Sequence, residues 1–453
     1  MYDLHLALSA FFWVLCLIWY SRQREASVFH PITYYLAFHG LVFVVRPIVK
    51  QIYGYDSIYT LYQFVPDDAQ RHLALLATNI GLVFFLFSCH VFGGVEMRFA
   101  NPSIHREDRH PFILIVALLI CSPLIYLSFQ YVMSNNFGDE DLLRLARISA
   151  TNAVLTDTTG YIIDANVMLG SLGVAIAWAY RFRPLAFIPL IVFLGLRMSV
   201  GRGRWTFIMM IASLILSMLY DKRAKWINLR SLVLAGMVFL TFNVLGQNRS
   251  AIADWITGRE TTVAAEQNAK KDLFDGMDFA NLEYLEYVIR TVPDLSGTFN
   301  YFANNLEVFT APVPRILWPE KPVGPPVKFF ELGDYGFPIG ITTSVIGEGW
   351  QDLGLFGVAI WCALQGAFWG WIYRIFVYSK KSSFQVMYFV LFVPLCMQAF
   401  RDGILLSMLK FPLFIIAPVL LAQALSKIIR SSMKPEKGKT SRVRLSLKNV
   451  GSK

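Results

Sequence analysis

Apolar residues fill this chain in long unbroken runs, with few stretches of strict alternation or one-sided helical striping. Runs of about 16 to 23 residues recur from end to end, and roughly 20 residues of helix cross a hydrocarbon core. The pattern predicts about eleven membrane-spanning helices, over 3–20, 31–49, 72–93, 111–133, 161–180, 185–200, 205–220, 229–246, 353–374, 384–400 and 404–424. Only Met1, Tyr2 and Asp3 precede the first run, and no small-residue cleavage site follows it, so it reads as a retained helix and not a signal peptide. The expected fold class is an all-α integral membrane protein, a polytopic bundle with one large extramembrane loop. Its organisation is then 1–246 (eight helices), 247–352 (the loop), 353–424 (three helices) and 425–453 (a basic tail).

Composition agrees with that pattern. Of 453 residues, 55% are apolar and 16% charged, and the mean hydropathy of +0.49 lies outside the range of soluble domains. Charge changes the picture by setting orientation. With the N-terminus outside, every inner loop is basic: Arg22 and Arg24; Arg98, Arg106 and Arg109; Arg181 and Arg183; Lys222, Arg223 and Lys225; Arg374, Lys380 and Lys381. The tail KPEKGKTSRVRLSLK also falls inside, so the net charge of +10 is mainly a topology signal. No nucleic-acid partner is expected, since the basic tail lacks interleaved aromatics. The five cysteines all lie in predicted helices and form neither a disulfide framework nor a CxxC site.

The loop 247–352 is the one extramembrane element large enough to build a site. It is acidic overall and contains no histidine, which removes zinc chemistry and a histidine base from it. Within it NLEYLEYVIRTV places Leu282, Leu285, Val288 and Ile289 at helical spacing, predicting an amphipathic helix across the top of the bundle or on the interface. The following APVPRILWPEKPVGPP is too rich in proline for helix and reads as a stiff loop with Trp318 as an interfacial anchor.

Against the orientation bias, Arg46, Arg197, Arg202, Arg204, Arg249, Arg290, Arg315 and Arg401 fall at the outer face. Any one of them has an ordinary explanation in snorkelling or in pairing with a loop carboxylate. The hairpin FLGLRMSVGRGRWTF is different, because Arg197, Arg202 and Arg204 are held close together there, among glycines that permit backbone approach. Such a cluster suits an anion, and arginine grips phosphate oxygens bidentately at any working pH. A lipid phosphate or diphosphate is the ligand class this predicts. At the end of the loop, TTSVIGEGWQDLGLFG sets Glu348 and Asp352 at the outer mouth of the bundle. Glu348 is a candidate general base, the alternative being an arginine partner or a helix N-terminal acid. Asp402 beside Arg401 reads as a structural pair. His39, Asp164 and Asn166 are polar groups inside predicted helices that would line a cavity, and the acidic run Asp139, Glu140, Asp141 is weak as a metal site.

Two segments, PVPRILWPEKP and SVIGEGWQDLGLFGVAI, together with GRGRWTFIM, resemble the Wzy-type O-antigen and oligosaccharide repeat-unit polymerases. The resemblance implies a metal-independent glycosyltransferase of the GT-C class, without cofactor, in the bacterial inner membrane with its active site facing the periplasm. It implies transfer of a growing glycan from undecaprenyl diphosphate to the non-reducing-end hydroxyl of a fresh lipid-linked repeat unit. A chain-length-regulating co-polymerase is the implied partner. Carried onto this chain, Arg202, Arg204, Arg315 and Arg401 would neutralise charge on the leaving diphosphate, assisted by Arg197, Arg249 and Arg290, with Glu348 as base. Two rivals stand beside it. An O-antigen ligase shares the topology, but ligases characteristically carry a histidine in the large loop. A flippase of the same lipid-linked sugars should show repeat symmetry, and none is visible.

Overall fold

The structure is a computed structural model and describes residues 1–62, 64–99, 111–134, 162, 164–200, 204–228, 274, 279–313, 317–322, 324–336 and 343–432. Among the described residues every regular element is helical. Seven helices are long and apolar enough to cross a membrane: α1 (Tyr2–Ser21), α2 (Pro31–Tyr53), α3 (Asp68–Gly93), α4 (Pro111–Ser134), and three described below, near the chain's end. Three shorter helices, α5 (Val167–Ala179), α6 (Ile188–Val200) and α7 (Arg204–Asp221), are also apolar. The span predicted over 229–246 lies outside the described residues, as does the acidic run at Asp139. The chain is a multi-pass membrane protein, all-helical among the described residues. Its lipid-facing character is plain on α1, where Leu4, Leu8, Phe11 and Leu15 are exposed.

After α7 come α8 (Asn281–Thr291), α9 (Ser344–Tyr378), α10 (Ser383–Asp402) and α11 (Leu405–Ser432). An extended seam joins α3 to α9. Glycine makes it possible: a Cβ at Gly93 would stand 2.8 Å from the Gly370 Cα, and one at Gly370 would stand 2.6 Å from the Cys89 carbonyl oxygen. With little hydrophobic drive between helices in lipid, such close backbone approach is a main source of association. Gly370→Leu is expected to force the seam apart at a cost of about 1–3 kcal/mol or more. It should lower the melting temperature in detergent, while Trp371→Leu on the exposed side leaves it in place. An unchanged melt for Gly370→Leu would contradict the seam.

α8 forms where the spacing predicts, and it packs into the bundle. All of its residues except Arg290 are buried, and it packs on α3, α9 and the stretch Gly40–Val45 of α2. Its polar side is covered because it carries partners inside. Glu283 meets Arg46 at 3.2 Å and Lys50 at 3.2 Å. Glu286 accepts from the Tyr59 hydroxyl at 2.5 Å. A helix whose charges are paired on one face and whose leucines pack on the other is a buried strut.

Candidate functional site

The first nine residues of α9, which the apolar pattern assigns to the loop, are helical. The helix is broken at Leu353 and Gly354, where φ reaches −157° and +60°, the second in the left-handed region that glycine tolerates. The chain turns so sharply there that Gly349 touches Gly357 and Val358, although a straight helix would hold residues eight apart about 12 Å from each other. Only the absence of side chains at Gly349 and Gly357 permits that contact. The result is a short buried helix, 344–352, lodged beside the long one.

Neighbouring segments cap this short helix. Backbone N–H groups of Asn300 and Tyr301 donate to the carbonyls of Gln351 and Asp352 at 2.8 and 3.3 Å, and the Phe302 N–H donates to Asp352 Oδ1 at 2.8 Å. These bonds satisfy helix-end groups that otherwise lack partners. On the other side Thr343 Oγ1 donates to the Asp402 carbonyl at 2.8 Å, and Trp361 Nε1 to that of Gly403 at 2.8 Å. Gly403, at φ +81°, separates α10 from α11, and the first N–H of α11, on Leu405, donates to Asn305 Oδ1 at 2.8 Å. Thus 300–305, the short helix and the α10–α11 break form one polar junction.

A cavity of about 650 Å³ opens in this junction, within the range of small-molecule sites. Glu348 lines it from the short helix and is fully buried. Neither of its carboxylate oxygens makes a hydrogen bond, although the Asn304 side chain lies beside it. Burial of a carboxylate without partners is costly, and such a group is poised to meet something that enters the cavity. Arg401, Asp402 and Gln398 line it from α10, Ser407 from α11. Asp402 Oδ2 accepts from Gln398 Nε2 at 2.6 Å and from Ser407 Oγ at 2.9 Å, while Arg401 Nη1 stands 3.9 Å from Oδ1. The stiff loop supplies the remaining wall through Phe330, Lys328 and Glu331, the last two ion-paired. It is held to α8 by the Tyr287 hydroxyl, which donates to the Leu332 carbonyl at 2.7 Å.

Of the residues singled out in the sequence, Glu348 and Arg401 line this cavity together. Asp402 is indeed Arg401's neighbour, and it faces the cavity as well. Arg290 is exposed, over the Phe64 ring at 5.2 Å, and is not among the lining residues. Arg197 sits 5.9 Å over the Phe193 ring, within the field of Asp164. Asp164 is bonded at 2.7 Å to Lys410, three residues after Ser407 on the same helix and therefore on the same face. Arg197 is in this way tied to the helix that lines the cavity. Arg202, Arg249 and Arg315 lie outside the described residues, and of Arg204 only the backbone, the first residue of α7, is described. His39 is packed among Tyr35 and Phe43, and Asn166 donates to Ser128, so neither lines this cavity. Lys328, Gln398, Ser407, Asn300 and Gln351 were not singled out in the sequence.

The α8 charges give a separate test of how the loop is docked. Burial pushes the Glu286 carboxyl up to about 7, with Glu283 adding repulsion and Lys50 and the Tyr59 bond offsetting part of the rise. A carboxyl raised in the folded state binds more protons there than in the unfolded chain, so stability falls as pH rises from the unfolded value to about 7 and is level above it. Glu286→Gln is expected to flatten the melting temperature across that window and to raise it at pH 8, where the parent holds a buried charged carboxylate. Melting curves at successive pH values check this, and a variant with the same slope as the parent would contradict it.

Comparison with protein-family models, with curated proteins and with solved structures finds no match for the chain.

Proposed function

We propose that this protein is a glycosyltransferase that polymerises lipid-linked oligosaccharide. It moves a growing glycan from a polyprenyl diphosphate to the non-reducing-end hydroxyl of a second lipid-linked repeat unit. In this reading the bundle has eleven spans with the N-terminus outside, sits in the bacterial inner membrane, and opens its cavity on the periplasmic side. The observation that carries the reading is Glu348: a fully buried carboxylate with both oxygens unbonded, in a cavity that also holds Arg401 and Lys328.

The chemistry divides among those groups. Glu348 takes the proton from the acceptor hydroxyl as its oxygen bonds to the anomeric carbon. The bond from that carbon to the diphosphate oxygen breaks, and its electron pair leaves on the diphosphate. Arg401 and Lys328 meet the growing negative charge, in a site where preorganised charge is worth most. Arg204 and Arg315 share that role, and Arg197, Arg202 and Arg249 hold the diphosphate along the outer face. The proton on Glu348 then passes to water, and the lipid diphosphate departs. Breaking the sugar–diphosphate bond supplies the driving force, so the reaction uses neither nucleotide nor metal.

The test is synthesis by purified full-length protein in nanodiscs, from a lipid-diphosphate-linked repeat unit with EDTA and without nucleotide. A ladder of evenly spaced products on a gel is expected. Intact protein that gives no ladder from its cognate substrate would overturn the reading in favour of a carrier.

A further inference from the structure

The cavity's polar lining is mostly uncharged amide and hydroxyl, which bears on what sugar it accepts. Gln351 and Asn300 are 3% and 2% exposed and line it; Gln351 Nε2 is buried without a hydrogen-bond partner, while the Asn300 side chain lies against Asp352. Leaving such a donor unbonded costs free energy that a ligand with a matching acceptor recovers. Asn304, Gln398 and Ser407 add further amide and hydroxyl groups around the same space. Opposite them stand Glu348 and Asp402, whose Oδ1 is also buried without a hydrogen bond. Tyr284 and Phe330 complete the wall with aromatic rings.

Unbonded amide N–H groups seek acceptors, and unbonded carboxylate oxygens seek donors. A hydroxyl is both at once, and a ring of hydroxyls with an apolar face fits amides, carboxylates and aromatics together. Charge then narrows the class. Three carboxylates, Glu348, Asp402 and Glu331, line the cavity, and Asp352 stands one turn behind. The lining cations Arg401 and Lys328 each have a carboxylate beside them. A sugar carboxylate placed against Glu348, the lining carboxylate with no cation beside it, would face a like charge at short range in a poorly solvated space, whereas the diphosphate is met by Arg401 and Lys328. Resting on the reading of the cavity as a transfer site, we infer that the sugar bound beside Glu348, the acceptor's terminal residue, is a neutral pyranose and not a uronic or other acidic sugar. Gln351 and Asn304 are the residues that select it.

Saturation-transfer NMR titration of the full chain in nanodiscs tests this, using methyl glycosides of neutral hexoses and N-acetylhexosamines, the matched methyl uronates, and inorganic pyrophosphate. At least one neutral glycoside is expected to bind, with its matched uronate at least tenfold weaker. Asn304→Ala and Gln351→Leu should each weaken that glycoside about tenfold, the worth of one hydrogen bond to a buried group, and leave pyrophosphate binding alone. Asn304 is only half-buried, so its variant carries the test should Gln351→Leu fail to fold. Uronates binding as well as neutral sugars would overturn the inference, as would neutral binding indifferent to Asn304→Ala. A product ladder from protein that binds no glycoside would sink the sugar subsite and leave the transfer reading standing. Glycoside binding with no ladder would support the subsite and sink the transfer reading.

Discussion

Glu348→Gln is expected to abolish polymer synthesis, lowering the rate about 10²- to 10⁴-fold, the usual worth of a positioned general base, while the protein remains folded and binds its substrate. Glutamine keeps the length and shape of the side chain and removes its basicity. Folding should survive because neither carboxylate oxygen makes a hydrogen bond that the amide would break. The backbone around it is fixed independently, by the caps from 300–302 and by the contact of Gly403 with Ser344 and the Glu348 Cβ. The measurement is a single-turnover rate on lipid-linked substrate, with membrane level and melting temperature as controls. A rate within threefold of the parent would retire Glu348 as the base and pass the role to Asp402, the other lining carboxylate with a free buried oxygen.

Run length made the helical architecture legible, since about twenty successive apolar residues have one structural solution in a bilayer. Glu348 and Arg401 were legible for a related reason: a charge at the end of an apolar run stands out against its neighbours. The rest of the cavity was hidden. Asn300, Gln351, Gln398 and Ser407 are single polar residues with no periodicity, and only the break at Leu353–Gly354 and the turn at Gly403 bring their segments together. The signal for the fold-back was present in the pair Gly349 and Gly357, but glycines eight apart also suit a slender helix entry, and sequence does not distinguish the two. The spacing of Leu282, Leu285, Val288 and Ile289 announces α8 as a helix, but not the burial of Glu283 and Glu286 on its polar side. Their partners, Arg46, Lys50 and Tyr59, lie more than 200 residues earlier, and no local pattern announces a pairing at that range.

Arg401→Lys carries the second large effect and separates charge from geometry. Arg401 is the penultimate residue of α10. Its carbonyl accepts from Asn281 Nδ2 at 3.3 Å, and its guanidinium stands 3.9 Å from Asp402. Its backbone is therefore placed by α8 and by the Gly403 turn, whatever the side chain. Lysine keeps the positive charge but loses the planar fork that grips two phosphate oxygens at once. If Arg401 meets the leaving diphosphate, the variant should lose about 10²- to 10³-fold in kcat, as for removal of one preorganised donor at a developing anion. KM and melting temperature should change little, because the interaction strengthens only as the bond breaks. Arg290→Lys is the matched control: that side chain is exposed over Phe64, away from the cavity lining, and the same replacement should leave kcat within about twofold. Equal losses in the two variants would show a diffuse electrostatic effect of the outer face. Full activity in Arg401→Lys would move the diphosphate to Lys328 or to the Arg197–Asp164–Lys410 side of α11, and Arg197→Lys would then be the decisive replacement.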